Sequence, residues 1–426
     1  MDYKTVVGLG ITVFLTVSLV MRSRRPQIPV WSIMAFTSFL TIVSGLVGLD
    51  ELESVIDLDV ILFLIGMFTI VGLAESSGLL AMLPSWFISM FKSRYSLIYA
   101  SSLLFGLLAA VAMNDTVALM GPPIAYAISR VARIDPRAMF LLLAFSLTIG
   151  SVMTPIGNPQ NVLIVGRSGM VAPFLKFVAW LSVPTLLNLM VTPYILIKYY
   201  KIKNERVESL LMPYEVLRNR RDALIAGVGI IVVIVSLVLN DLLELMGLPH
   251  VSRRGFIPFV VAAGMYMLSS NPRKSISNID WGTIVFFITM FITMEGVWRS
   301  GILSPMLEAL VPTKLEGLKN LAAVTAASVL GSQLLSNVPF ARLFIKYLES
   351  LGYGSGDDIT WIALAMSSTV AGNLTLLGAA SNIIMLEYLE SRMGTTITFL
   401  EFLKVGSLVT IANIALYLPF LALSSL

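Results

Sequence analysis

Long uncharged stretches follow one another along almost the whole chain, and they restrict it to folds that can live in a bilayer. Residues 5–21 and 29–48 hold no Asp, Glu, Lys or Arg. About 20 apolar residues in an α-helix cross the hydrocarbon core. No water reaches that core, so a spanning segment must satisfy its own backbone groups. Charged residues are 13% of the 426, and 57% are hydrophobic; soluble domains carry about 25% charged residues. The expected fold class is an all-α polytopic membrane protein. The stretch after Tyr3 runs into Arg22, Ser23, Arg24 and Arg25 with no small-residue cleavage site, so it reads as the first spanning helix.

The net charge of +4 fits an excess of Lys and Arg in the loops on one side of a membrane. These residues are scattered over short loops rather than gathered on one face, which argues against a nucleic-acid partner. Cysteine is absent, which removes disulfides, thiolate metal sites and cysteine nucleophiles. His250 is the only histidine, so neither a His-rich metal site nor a Ser-His-Asp triad can be assembled. Neither an enzyme nor a resident cofactor or metal is expected.

The chain repeats itself. Gly8-Leu9-Gly10-Ile11 returns as Gly227-Val228-Gly229-Ile230, and Asp57 with Phe63, Met67 and Phe68 returns as Asp280 with Phe286, Met290 and Phe291. Asn114 returns as Asn337, and Thr154-Pro155-Ile156-Gly157 with Asn161 returns as Thr375-Leu376-Leu377-Gly378 with Asn382. Ser182, Thr185 and Asn188 return as Ser407, Thr410 and Asn413. The offset runs only from 219 (Gly8 to Gly227) to 225 (Asn188 to Asn413), and this shared order carries more weight than any single match. The expected units are a first repeat over 1–200, a cytoplasmic linker over 201–221 and a second repeat over 222–426.

Each half reads alike. Spanning helices are expected at 5–21, 29–48 and 57–75, a hairpin at 95–132, an interrupted helix at 138–166 and a last helix at 173–200. The second half gives 222–246, 253–270, 280–298, 318–351, 359–390 and 398–424. The segment 95–132 is too long for one span and carries Asn114-Asp115 at its middle, which suits two half-helices meeting at a buried turn. Five crossings per half would invert the second repeat relative to the first, giving about ten spans and two hairpins. Placing the first loop on the inside puts 19 Lys and Arg there against 10 outside. That orientation leaves both termini extracellular in a plasma-membrane protein.

Four polar spots then converge at mid-membrane: Asn114-Asp115-Thr116, Thr154 to Asn161, Ser336-Asn337 and Thr375 to Asn382. Gly157 and Gly378 lie in the interruptions, where freed carbonyls can hold a cation and freed N–H groups an anion or a polyol. Asn158, Asn161, Asn337 and Asn382 add neutral donors and acceptors. A single Gly-Asn-Pro break is often only a kink; two breaks at repeat-equivalent places, each beside an Asn-bearing tip, point to a binding site. Asp115 has Val338 as its counterpart. An intramembrane carboxylate is costly, and burial favours its protonated form, so Asp115 is the candidate proton carrier. An Asp there also suits a helix cap. Arg342, five residues past Asn337, is a charge partner for Asp115, a residue that attracts an anion, or one that snorkels to the outer surface. Glu75 and Glu295 read as interfacial or gating residues, and the stripe Phe63, Met67, Phe68 reads as packing.

The run Asn114-Asp115-Thr116 followed by Thr154-Pro155-Ile156-Gly157-Asn158-Pro159-Gln160-Asn161 resembles the signature of ArsB-type arsenite permeases, and still more that of plant silicon efflux permeases. The melanosomal P protein, NhaD-type antiporters and divalent anion/sodium symporters of the same ion-transporter superfamily are similar in layout. The resemblance implies proton-coupled export of a small hydroxylated acid such as arsenite or silicic acid, elevator-type movement and a homodimer. It implies that Asn114, Asp115, Gly157, Asn158 and Asn161 line the site, faced by Asn337 and Asn382. The chain departs from the sodium-coupled symporters at Ser336-Asn337-Val338, where they carry Ser-Asn-Thr, and it has Gly378-Ala379-Ala380 opposite Gly157-Asn158-Pro159. Both departures favour a proton over sodium as coupling ion. A sodium-coupled anion symporter and a sodium/proton antiporter are the competing readings.

Overall fold

The computed structural model describes residues 2–22, 28–82, 90–207, 217–393 and 396–423, and among them the secondary structure is helical apart from one isolated bridge between Ser93 and Arg206. The first half contributes α1 (Tyr3–Arg22), α2 (Val30–Val43), α3 (Leu58–Ser76), α4 (Arg94–Ala112), α5 (Asn114–Ala132), α6 (Pro136–Ser151), α7 (Pro159–Ser168) and α8 (Pro173–Tyr199). The second contributes α9 (Arg220–Leu245), α10 (Phe256–Leu268), α11 (Trp281–Arg299), α12 (Gly317–Leu335), α13 (Asn337–Ser350), α14 (Asp358–Val370), α15 (Ala380–Met393) and α16 (Phe399–Leu423). Among the described residues, six of these helices (α3, α4, α8, α9, α11 and α16) are long and apolar enough to cross a bilayer unaided. The chain is a polytopic membrane protein.

Local chemistry sets the boundaries. Asp57 and Asp280 cap α3 and α11, accepting from the backbone N–H of Val60 and Thr283. Proline opens α6, α7 and α8, where its missing N–H costs nothing. The two hairpins turn on single residues: Met113 separates α4 from α5 at φ 66°, ψ 142°, and Ser336 separates α12 from α13 at φ 70°, ψ 162°. Neither is glycine, yet both hold a backbone that L-residues rarely adopt.

The packing falls into two groups. In one, α2 packs on α11 and α3 on α10, with α1 and α9 alongside. In the other, α4 packs on α5 and α6, α12 on α13 and α14, α5 on α15, α7 on α13, and α8 on α16. Replacing each helix by the one eight later turns α2–α11 into α10–α3, and α5–α15 into α13–α7. In the second group backbones approach closely: a Cβ on Gly150 of α6 would lie 2.1 Å from the carbonyl oxygen of Gly106 in α4. Phe63, Met67 and Phe68 are buried in the core.

The start of the expected linker is pinned to the open end of the first hairpin. Val207 N–H donates to Lys92 O, and Arg94 N–H donates to Glu205 O, at 2.9 and 3.0 Å. Residues 208–216 of that linker lie outside the described residues.

Candidate transport site

The four expected polar spots meet. In the first half the backbone N–H of Asn114 donates to Gly157 O at 2.8 Å, and the Thr154 hydroxyl donates to Ala110 O. These bonds tie the hairpin tip to the break between α6 and α7. In the second half Gln333 does the tying: its amide donates to Ala371 O at 3.0 Å, and its side-chain oxygen accepts from the Thr375 hydroxyl at 2.8 Å. The halves also join each other, because Asn158 and Gln160 both donate to the Thr369 hydroxyl of α14, at 3.2 and 3.3 Å.

The two breaks are held by one device. Asn161 Nδ2 donates to the carbonyls of Ser151 and Thr154, at 3.2 and 2.9 Å. Asn382 Nδ2 donates to those of Gly372 and Thr375, at 2.8 and 3.3 Å. The recipients correspond at an offset of 221 (151 to 372, 154 to 375). Each amide nitrogen faces two carbonyl oxygens, which fixes the amide orientation and turns its own oxygen away. Asn158 caps α7 by accepting from Asn161 N–H at 2.8 Å. Gly157 has no room for a side chain, since a Cβ would lie 2.2 Å from Ser151 O.

A cavity of about 570 Å³ opens onto this assembly. Asn114, Asp115, Ser336 and Asn337 line it, so the two tips face one space. Thr116, Thr154, Asn158, Asn161 and Asn382 are buried outside that lining. Gly157, Thr375 and Gly378 also lie outside it and shape the breaks. Residues that the sequence did not name as site residues join the lining: Gln160 and Ser381 from within the polar spots, and Gln333 and Asp280 from outside them. Asp280 was visible as the repeat partner of Asp57; nothing in the sequence placed it at the cavity mouth.

Two properties decide what the cavity can hold. Its lining includes the carboxylates of Asp115 and Asp280, and among the described residues it includes no Lys, Arg or His. Around it, the side-chain oxygens of Asn114, Asn161, Asn337 and Asn382 are buried without a hydrogen-bond donor among the described residues. Helices α5, α7, α13 and α15 begin here, so unpaired backbone N–H groups come to the same place. The site therefore offers acceptors and donors together, with negative but no positive side-chain charge.

Arg342 does not serve Asp115. Among the described residues no ion pair joins them; the guanidinium is 2% exposed, its centre lies 5.3 Å from the Phe291 ring centroid, and Nε and Nη1 have no acceptor. It does not reach the surface either. Glu75 is exposed, whereas Glu295 is buried in ion pairs with Arg299 and Lys346. Outside the spans, the Arg299 guanidinium holds the Glu51 carboxyl below its usual range.

Paired broken helices and hairpin tips around a polar cavity, inside an apolar bundle, define a membrane transporter. The profile of one known family, described as citrate transporter (CitMHS), matches residues 13–371, and the chain belongs to that family. An uncharacterized transporter of Mycobacterium tuberculosis is 27% identical, over 85% of each chain. A putative transporter of Dictyostelium discoideum named arsB is 25% identical, over 90% of this chain and 85% of its own. The crystal structure of the YdaH transporter from Alcanivorax borkumensis shares the fold, with a TM-score of 0.57 at 12% identity over 99% of this chain and 98% of that one.

Proposed function

We propose that this chain is a proton-coupled secondary transporter that exports a small hydroxylated acid of the arsenite or silicate type, held between the two hairpin tips. The observation that carries this reading is the charge of the cavity. A free polyanion would meet two carboxylates and no cationic side chain there. Each like-charge contact at 4 Å costs about 1–4 kcal/mol across the range from water to a protein surface. A neutral polyol meets no such penalty. Its hydroxyls donate to the orphaned oxygens of Asn114 and Asn337 and accept from the helix N-termini, and Asp115 carries the coupling proton.

The paired contacts between helices, the two tips at positive φ and the matched Asn161 and Asn382 bonds support two inverted repeats as the building plan. On that plan the α4–α7 and α12–α15 units form a moving core, α1–α3 and α9–α11 form a scaffold, and transport is an elevator movement in a homodimer. The excess of basic residues supports both termini outside a plasma membrane. Tagging either terminus in sealed cells tests the orientation.

A second reading has its own support. The orphaned oxygens of Asn114 and Asn337, which line the cavity, are also of the type that ligates sodium, and the family is described as citrate transporter. Sodium held there would offset the acidic lining for an incoming anion. A thermal-shift panel of arsenite, silicate, borate, phosphate, citrate, sodium and lithium separates the readings. Stabilisation by the neutral acids in sodium-free buffer is the expected result. Stabilisation by citrate that requires sodium would overturn the first reading in favour of the second.

A further inference from the structure

Helices α11 and α13 present two matched rungs. On α11, Phe291, Glu295 and Arg299 follow one another at single-turn spacing; on α13, Arg342 and Lys346 do the same. Lys346 is ion-paired with Glu295, whose other oxygen accepts from Arg299 Nε at 2.9 Å. Arg299 is held in turn by Glu51 at 2.7 Å. One turn deeper, Arg342 faces Phe291. A buried guanidinium over an aromatic ring, with two nitrogens lacking acceptors, is a costly arrangement. Glu295 lies one turn away along the partner helix, beside Lys346, the residue one turn on from Arg342.

We infer that Glu295 is the pawl of a one-turn ratchet, held by Lys346 in the state seen here and by Arg342 in the opposite state. This rests on the moving-core reading above. The step is about 6 Å, the rise of four helical residues, and such one-turn ratchets of one element past another are a known mode of switching. Its direction is fixed by the geometry. Arg342 lies nearer the tips than Lys346, so handing over Glu295 requires α13 to slide away from the cavity mouth at Asp280. In its new place Lys346 comes beside Arg299 and finds its acceptor in Glu51. The same slide separates Arg167 of α7 from Asp57 at the start of α3, which are paired here at 2.8 Å.

The absence of cysteine makes the test clean. In native membranes, a short bifunctional methanethiosulfonate should join Glu295→Cys to Lys346→Cys, and in a separate double variant Glu295→Cys to Arg342→Cys. Independently, a maleimide reporter at Thr283→Cys, which lines the cavity mouth, should lose about threefold in labelling rate when Lys346→Met is added. It should keep or gain rate with Arg342→Met, and Arg342→Lys should restore the original rate. Labelling requires no substrate, so an error in the substrate assignment leaves this test intact. Cross-linking at 295–346 alone, or shifts of the same sign in the two methionine variants, would overturn the ratchet. If proton or solute gradients still changed labelling in that case, the moving core would stand without it.

Discussion

The two hairpin tips share a backbone and differ in chemistry. Met113 and Ser336 turn their chains at nearly the same angles, and Asn114 and Asn337 open the helices that follow. Past that point the halves part. The first continues with Asp115 and the second with Val338. Position 110 offers Thr154 a backbone carbonyl, while its counterpart, position 333 (offset 223), offers Thr375 the side chain of Gln333. The break in the first half is braced by Asn158 and Pro159, where the second has Ala379 and Ala380. Matched bonds thus leave paired acceptors at the two breaks, and Asp115 makes the two tips unequal.

If that inequality is the coupling device, removing it should have the largest effect. Asp115→Asn keeps the shape and the acceptor but cannot release a proton. Proton-driven uptake into proteoliposomes should fall by at least about 100-fold, which is about 2.7 kcal/mol in the rate-limiting barrier. Solute binding, read by thermal shift, should persist. Undiminished transport would end the proton-carrier assignment. The reciprocal change, Val338→Asp, would make the tips alike, and it should not rescue Asp115→Asn, because the new acid would sit on the second tip, away from the first break that Asn114 ties through Gly157 O.

The next effect concerns the frame. Gly157→Ala drives a Cβ to 2.2 Å from Ser151 O, and backbone on both sides must move. Overpacking of this kind costs about 1–3 kcal/mol, and denaturation in detergent should show it. Gly378→Ala meets its nearest atom, Ala371 O, at 2.9 Å, so its cost should be smaller. Equal costs would mean that the two breaks are equally tight, contrary to the geometry.

Smaller again is the loss of one bracing amide. Asn161→Ala and Asn382→Ala each free two carbonyls, at about 1–3 kcal/mol for an unsatisfied buried group less what water recovers. Asn161 is 0% and Asn382 2% exposed, and the Asn158 cap reaches Asn161 through its backbone N–H, which alanine keeps. Asn161→Ala and Asn382→Ala should therefore cost about the same, and a double variant that loses less than the sum would reveal coupling between the breaks.

What the sequence made legible was whatever the repeat printed twice. Asn114 and Asn337, Thr154 and Thr375, and Asn161 and Asn382 stand out because polar residues recur at fixed places in apolar runs. Helix ends fall beside those residues: α4 ends and α5 begins at Met113–Asn114, and α12 ends and α13 begins at Ser336–Asn337. The rest depends on contacts between distant segments. Thr369 receives Asn158 and Gln160 from the other half, and Gln333 stands in for a carbonyl; neither relation leaves a mark in spacing. Asp280 is an ordinary helix cap until the fold brings it to the cavity that Asp115 lines. Arg342 looked like a partner for Asp115 because both follow an Asn at a tip, but the helix turns it toward Phe291 instead.

The least of the expected effects tests the shared turn itself. Met113 and Ser336 occupy a region of backbone space that is nearly reserved for glycine, at a cost of about 1–3 kcal/mol each. Substitution by glycine removes that strain but adds freedom to the unfolded chain, worth about 0.5–1 kcal/mol in the other direction. Met113→Gly also gives up a fully buried side chain, whereas Ser336 is only half-buried. Ser336→Gly should therefore be neutral or stabilising by up to about 1 kcal/mol, and Met113→Gly should be destabilising. The same sign at both positions would mean that the turns are not strained alike. A rise in transport rate with Ser336→Gly, without a rise in stability, would place the strain in the movement of the second tip rather than in its resting fold.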